Sequence, residues 1–471
     1  MTFQSVEYLI FFPIVFLLYW TLCSKSKTHQ NALLVLSSMV FYGWWDCRFL
    51  GLLLLTAVST FLAGRLIAQT DNRQRRKWLF VGVVVLNLGI LFCFKYFGFF
   101  VHALADALAL FGISAGISSL RILLPVGISF YTFSALSYTI DIFQRKVKPT
   151  DDLLAYLAYV MFFPSILSGP ISRAQKQLPQ YLLLRRFDYD HAVYGCKCAL
   201  MGAVIKLVVA DRLGIFVDAV YANICQHNGT TLLVASILYS FQIYADFAGY
   251  SLMAIGSGRL LGIELPDNFK RPYFAKTVTD FWRRWHISLT TWFRDYLYFP
   301  LGGNRCKKSR WMLNTMIVFT VSGLWHGAAY TFVVWGALHG ACMVAERLLY
   351  GEKIKAITDK FTLPNVVRML FTFAIVTFAW IFFRAETLGD AVEVIRRIFT
   401  MHGSIGLDFS HLNTLAIVFL LVYDFIKEKR LNIHFLSSKY MFVRYATSVM
   451  LILLILTLGV LNGGSFIYFK F

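Results

Sequence analysis

Two histidines in apolar surroundings are the residues of this chain best suited to chemistry. His326 stands in Ser322-Gly-Leu-Trp-His-Gly327, with a glycine on either side of a Leu-Trp-His run, and His286 stands in Asp280-Phe-Trp-Arg-Arg-Trp-His-Ile-Ser-Leu289. An ionisable side chain at membrane depth is costly, and it is kept for a partner, a water-filled cavity or a reaction. Imidazole exchanges a proton near neutral pH, so general acid–base chemistry within a membrane is what these residues offer. The structural alternative for His326 is a buried histidine hydrogen-bonded to a neighbour, and for the segment carrying His286 an interfacial anchoring helix.

The elements that must position them belong to a membrane protein. Of the 471 residues, 58% are hydrophobic and 15% charged, against about 25% charged in a soluble protein. The net charge of +20 comes from Lys and Arg in short segments between apolar runs, as a cytoplasmic-loop bias predicts. No nucleic-acid-binding motif accompanies that charge, and nucleic acid is excluded as a partner. The eight cysteines are scattered without a C-x-x-C, and the ten histidines form no ligand pattern, so neither a disulfide framework nor a metal site is expected.

Apolar runs predict spans over 3–22, 31–45, 49–68, 78–98, 122–142, 192–219, 230–258, 365–383, 411–426 and 443–461. The run 152–169 is basic on both flanks and contains Pro164 and Gly169-Pro170, which predicts a re-entrant segment. Residues 278–299 read as one amphipathic helix with Trp282, His286, Leu289 and Phe293 on one face, Arg283 and Arg294 on another, and an Asp280–Arg284 pair. Residues 312–348 predict a hairpin. Its first arm, 14 residues to Trp325, reaches about 21 Å and places His326 near an apex still within the membrane. The expectation is an all-α polytopic protein of about twelve crossings, a single domain over 1–471, with both termini outside.

Further segments carry a family pattern. They are Tyr244-Ala-Asp246-Phe-Ala-Gly-Tyr-Ser251 with Met253-Ala-Ile-Gly256, Leu265-Pro-Asp-Asn-Phe-Lys-Arg-Pro-Tyr273, the two histidine segments, and Trp292-Phe-Arg-Asp-Tyr-Leu-Tyr-Phe-Pro-Leu-Gly-Gly-Asn304. Together they resemble the membrane-bound O-acyltransferase (MBOAT) family, in its bacterial branch of alginate O-acetylation and D-alanyl transfer proteins. The resemblance covers nearly the whole chain and is densest over about 240–340. The terminal Phe466-Ile-Tyr-Phe-Lys-Phe471 is similar to a tail of that branch, with Lys470 where glutamine is frequent; taken by itself it reads as an aromatic interface anchor.

The resemblance implies a helical ring around a thin centre in a bacterial inner membrane. It implies His326 as principal catalytic histidine, His286 as a second, and Tyr468 as a transient acyl carrier. The implied reaction moves an acyl group, most readily acetyl, from a cytoplasmic thioester to an external hydroxyl for exopolysaccharide or cell-envelope O-acetylation. The donor is acetyl-CoA or a phosphopantetheine-carrier thioester, with no bound cofactor. The acceptor is a polysaccharide, reached through a separate external acyltransferase partner. Trp285 and Trp325 would exclude water. Arg283, Arg284 and Lys270 either hold donor phosphates or meet anionic lipid headgroups. Asp246 either orients a histidine or pairs with an arginine. D-alanyl transfer to teichoic acid, a flippase for lipid-linked sugars, and a non-catalytic scaffold are the competing readings.

Overall fold

The structure, a computed structural model, describes residues 1–112, 123–351, 361–406, 410–429, 431, 435–461 and 466–469. Lys470 and Phe471 of the tail, and Ile122 at the edge of an expected span, lie outside the described residues. All described secondary structure is helical. Among the described residues, six helices are long and apolar enough to cross a membrane, including Gly229–Leu260, Tyr330–Tyr350, Leu363–Arg384 and Met441–Leu458. The protein is an integral membrane protein. Large apolar side chains such as Leu9, Phe371 and Phe442 stand exposed on its helices, as surfaces solvated by acyl chains require.

Two compact units divide the chain: residues 1–196 with 254–266, and residues 197–253 with 267–471. In the first, the expected turn at Asp46 is a real break. Asp46 leaves the helical region and caps a 3-10 turn, Cys47–Phe49, between helices Lys27–Asp46 and Leu50–Gln69. The expected re-entrant run is also interrupted. A helix over Leu153–Met161 stops at Phe162 and restarts for one turn, Phe163–Ile166, with Pro164 in its first positions. The pause is supported by neighbours, since Ser38 Oγ accepts the Phe163 N–H at 3.1 Å.

The second unit holds both histidines. Its amphipathic segment departs from expectation, because it is two short helices, Val278–Arg284 and Ile287–Phe293, rather than one. His286 between them sits at φ 41, ψ 54, a left-handed conformation uncommon for a non-glycine residue. The strand-like stretch before the first helix makes the break possible. Lys270 N–H donates to Arg284 O at 2.9 Å, Ile287 N–H donates to Asn268 O at 2.9 Å, and Ser288 Oγ donates to Asn268 Oδ1 at 2.6 Å. These bonds supply partners to backbone groups that a continuous helix would have satisfied internally. The burial pattern survives the break: Trp282, His286, Leu289 and Phe293 are buried, while Arg283 and Arg294 are exposed.

The predicted hairpin forms from Lys308–His326 and Tyr330–Tyr350. Its first arm begins at Lys308, earlier than the apolar run suggested, and ends on His326. The arms touch at Gly323 and Gly336. A Cβ at Gly323 would collide with the Phe332 carbonyl oxygen, and one at Gly336 with that of Phe319. Small residues permit this backbone-to-backbone approach in membranes, where dispersion contacts rather than water exclusion hold helices together.

Candidate active site

His326 is the last residue of its helix, and Gly327 caps it through an N–H to Gly323 O at 3.3 Å. The ring is therefore delivered at a helix end rather than along a helix face. It is 2% exposed and packed by aromatic rings: Trp325 and Trp335 at 5.1 Å centroid separation, Phe383 at 5.4 Å and Tyr468 at 5.5 Å. His286 is fully buried. Its ring lies 6.2 Å from that of His326, 6.3 Å from Tyr468 and 4.6 Å from Phe247. Two imidazoles and a phenol from three distant parts of the sequence thus share one compartment.

Tyr468 belongs to a single 3-10 turn, Ile467–Phe469. Phe466 stacks on Tyr250 at 4.6 Å, and Phe247 lies 4.5 Å from the Tyr468 ring. Among the described residues the Tyr468 hydroxyl has no hydrogen-bond partner. It shares that state with the hydroxyls of Tyr19, Tyr131 and Tyr239, and what sets it apart is its position beside the two imidazoles.

Among the described residues, Asp246 pairs with a lysine and a backbone N–H rather than with a histidine or an arginine. One carboxylate oxygen is 2.7 Å from Lys206 Nζ and the other accepts the Ile467 N–H at 2.8 Å. Lys206 also reaches Asp211 at 2.6 Å. Neither Lys206 nor Asp211 was singled out from sequence. Their spacing of five residues is not a helical i, i+4 pair, and only the π-helical turn Ile205–Ala210 brings them together.

Beside the histidines lies a cavity of about 480 Å³ lined mainly by apolar residues, including Trp282, Ile287, Val318 and Phe319, with Arg283, Arg294 and Arg347 also on its wall. Ser322 lines it, one helical turn from His326. Of the three expected phosphate-binding cations, Arg283 is on this wall. Arg284 instead bonds Asp280 and Glu428, each at 3.0 Å, and Lys270 is exposed. The two tryptophans also part. Trp325 touches both histidines, at 5.1 Å from His326 and 5.9 Å from His286, whereas Trp285 packs among Phe269, Phe281 and Trp380.

A further histidine, His339, was not anticipated. It is fully buried, accepts the Trp282 indole N–H at 3.3 Å and lies 5.0 Å from Trp335. Its setting, Gly336-Ala-Leu-His-Gly340, has the same glycine spacing as that of His326, a signal that sequence reasoning passed over.

Comparison with known proteins places the chain among membrane acyltransferases. The sequence profile of the membrane-bound O-acyltransferase family matches residues 142–385. The chain is 38% identical over 403 residues to the probable alginate O-acetylase AlgI of Pseudomonas aeruginosa, covering 85% of this chain and 75% of that protein. It is 33% identical over 489 residues to the peptidoglycan O-acetyltransferase of Helicobacter pylori, covering 97% and 88%. A more distant similarity, 28% over 274 residues, links it to the teichoic acid D-alanyltransferase of Bacillus subtilis, covering 55% and 69%.

Proposed function

This chain belongs to the membrane-bound O-acyltransferase family, and we propose that within it His326 is the general base of an acetyl transfer relayed through Tyr468. The protein is a membrane O-acyltransferase of exopolysaccharide or cell-envelope O-acetylation. The observation that carries the residue assignment is the single compartment shared by His326, His286 and Tyr468, 5.5 to 6.3 Å apart by ring centroid.

The donor is a cytoplasmic acetyl thioester, of coenzyme A or of a phosphopantetheine carrier. The arginine-bearing cavity favours it: Arg283, Arg294 and Arg347 suit phosphates, and the apolar wall toward Ser322 suits the pantetheine arm and acyl group. In the first half-reaction the Tyr468 oxygen attacks the thioester carbonyl. His326 takes the phenolic proton and returns it to the departing thiolate, so the C–S bond breaks as the C–O ester forms. In the second, an acceptor hydroxyl attacks the tyrosyl ester, His326 takes its proton, and the phenol is restored. A positioned base supplies roughly 10²–10⁴-fold in rate. Trp325, Trp335 and Phe383 keep water from the activated acyl group. His286 lies close enough to orient the same phenol. The acceptor is a cell-envelope or exopolysaccharide hydroxyl on the external face of a bacterial inner membrane, delivered with a separate external acyltransferase.

The test uses purified protein in nanodiscs with radiolabelled acetyl-CoA and, separately, an acetylated carrier. Label on the wild type that is lost in both Tyr468→Phe and His326→Ala supports the relay. Label lost in His326→Ala alone keeps the base and discards the relay. A D-alanyl donor that labels the protein in place of acetyl would move the assignment to aminoacyl transfer.

A further inference from the structure

The segment carrying Tyr468 is held by polar contacts that the reaction above does not use. Arg212 Nη2 donates to Leu458 O at 2.6 Å, and Val460 N–H donates to Leu207 O at 3.1 Å. Leu207 lies in the π-helical turn Ile205–Ala210, where the shifted ladder frees backbone carbonyls for outside partners. Beyond it, Ile467 N–H donates to Asp246, whose other oxygen meets Lys206, which in turn meets Asp211. The Lys206, Asp211 and Asp246 side chains are 2%, 6% and 3% exposed.

Three charges so deeply buried are costly to desolvate, and a buried charge cluster is weak evidence for stability by itself. Its best-attested use is to specify one arrangement among several that apolar contacts would tolerate. The tail presents that problem. Its side chains run Phe466, Ile467, Tyr468, Phe469, and the surrounding walls are the aromatic rings of Phe247, Tyr250 and Phe383. Aromatic packing holds Phe and Tyr nearly alike, so a slip along the chain would seat a phenylalanine where the phenol belongs at small loss. The charged hydrogen bond from the Ile467 N–H to the Asp246 carboxylate anchors the backbone of this turn where aromatic packing alone would let it shift.

We propose that Lys206, Asp211 and Asp246 form a buried clasp that anchors the backbone of the C-terminal turn and so holds Tyr468 beside His326 and His286. Asp246 holds the Ile467 N–H, and Lys206, fixed by Asp211, aims the Asp246 carboxylate. All three are positioning residues. The consequence for catalysis rests on the tyrosyl relay; the clasp itself does not.

The experiment is hydrogen exchange of the full-length protein in nanodiscs, read by mass spectrometry, alongside acetyl labelling of Tyr468. In Asp246→Leu the Ile467 amide is expected to exchange at least about tenfold faster while peptides of the Lys308–His326 and Tyr330–Tyr350 helices stay as in wild type. Tyr468 labelling falls by at least about tenfold. Asp246→Asn keeps an oxygen acceptor and restores both to within about threefold of wild type, a rescue that loss of fold would not show. Should Asp246→Leu fail to fold, Asp211→Asn leaves the acceptor in place but loosens Lys206, and is expected to raise tail exchange by about two- to fivefold. Unchanged Ile467 exchange in these variants overturns the clasp. Faster exchange with wild-type labelling overturns its role in placing Tyr468. Absence of any Tyr468 label on wild type, with His326-dependent transfer intact, removes the relay alone, and the Ile467 exchange then decides the clasp.

Discussion

His326 and His339 lie on opposite arms of one hairpin and are nearly equal by the usual measures of a buried histidine. They are 2% and 0% exposed, and both pack on Trp335, at 5.1 and 5.0 Å. They differ in what the ring can reach. His339 sits mid-helix, its Nδ1 taken by the Trp282 indole, beside an apolar crevice lined by Leu338, Cys342, Ile375 and Phe378. His326 ends its helix and faces the phenol of the chain's tail and the imidazole of His286. Burial and aromatic company therefore do not mark a catalytic histidine here. On the proposed mechanism the distinguishing features are the Tyr468 phenol beside the His326 ring and a cavity lined by Ser322 one helical turn away.

The sharpest way to break this comparison is to remove each ring in turn. His326→Ala is expected to lower acetyl transfer by about 10²–10⁴-fold with the protein still folded in nanodiscs, measured as label transferred per minute. A residual rate within tenfold of wild type would place the base elsewhere. Gly336→Leu comes next. It forces the hairpin arms apart where Gly323 and Gly336 touch, costs about 1–3 kcal/mol by overpacking, and is expected to slow transfer by about 10²-fold because His326 is displaced. Thermal unfolding and transfer rate should fall together.

Smaller effects separate the cations. Arg283→Ala removes a charged hydrogen-bond donor from the cavity wall and is expected to raise the donor KM about tenfold, corresponding to roughly 1.4 kcal/mol, with kcat little changed. Arg284→Ala should leave KM alone and lower stability instead, since its partners are Asp280 and Glu428; equal KM effects would dissolve that distinction. The smallest change in transfer, under about threefold, is expected for His339→Phe, although it leaves the Trp282 N–H without its acceptor at a cost of about 1–3 kcal/mol in stability. Loss of activity matching His326→Ala in a folded His339→Phe protein would end the comparison drawn above.

Much of the fold was legible because membranes impose long apolar runs and polar breaks. The break at Asp46, the interrupted helix around Pro164 and the hairpin ending on His326 follow from residue type alone. The amphipathic segment shows the limit. Its period correctly assigned Trp282, His286, Leu289 and Phe293 to the buried side, yet the backbone breaks at His286. The bonds from Asn268, Lys270 and Ser288 that compensate the break come from residues up to 20 positions away, which no local periodicity registers. Lys206 was invisible for the same reason: it is one polar residue in an apolar run until its partner is brought beside it.

By itself the sequence determined that the chain spans a membrane, that its motifs are those of an O-acyltransferase, and that His326 ends a hairpin arm flanked by glycines. The membrane spans and the hairpin end are consequences of composition and local spacing, while the O-acyltransferase motifs are read by their resemblance to a family. Only the tertiary structure decided which arginine reaches the cavity, that Asp246 serves Lys206 and the tail, and that a phenol more than a hundred residues from His326 in sequence lies 5.5 Å away by ring centroid. Such pairings are decided by packing between segments distant in sequence, where one close glycine contact or one buried charge selects among arrangements that the apolar pattern leaves nearly equal.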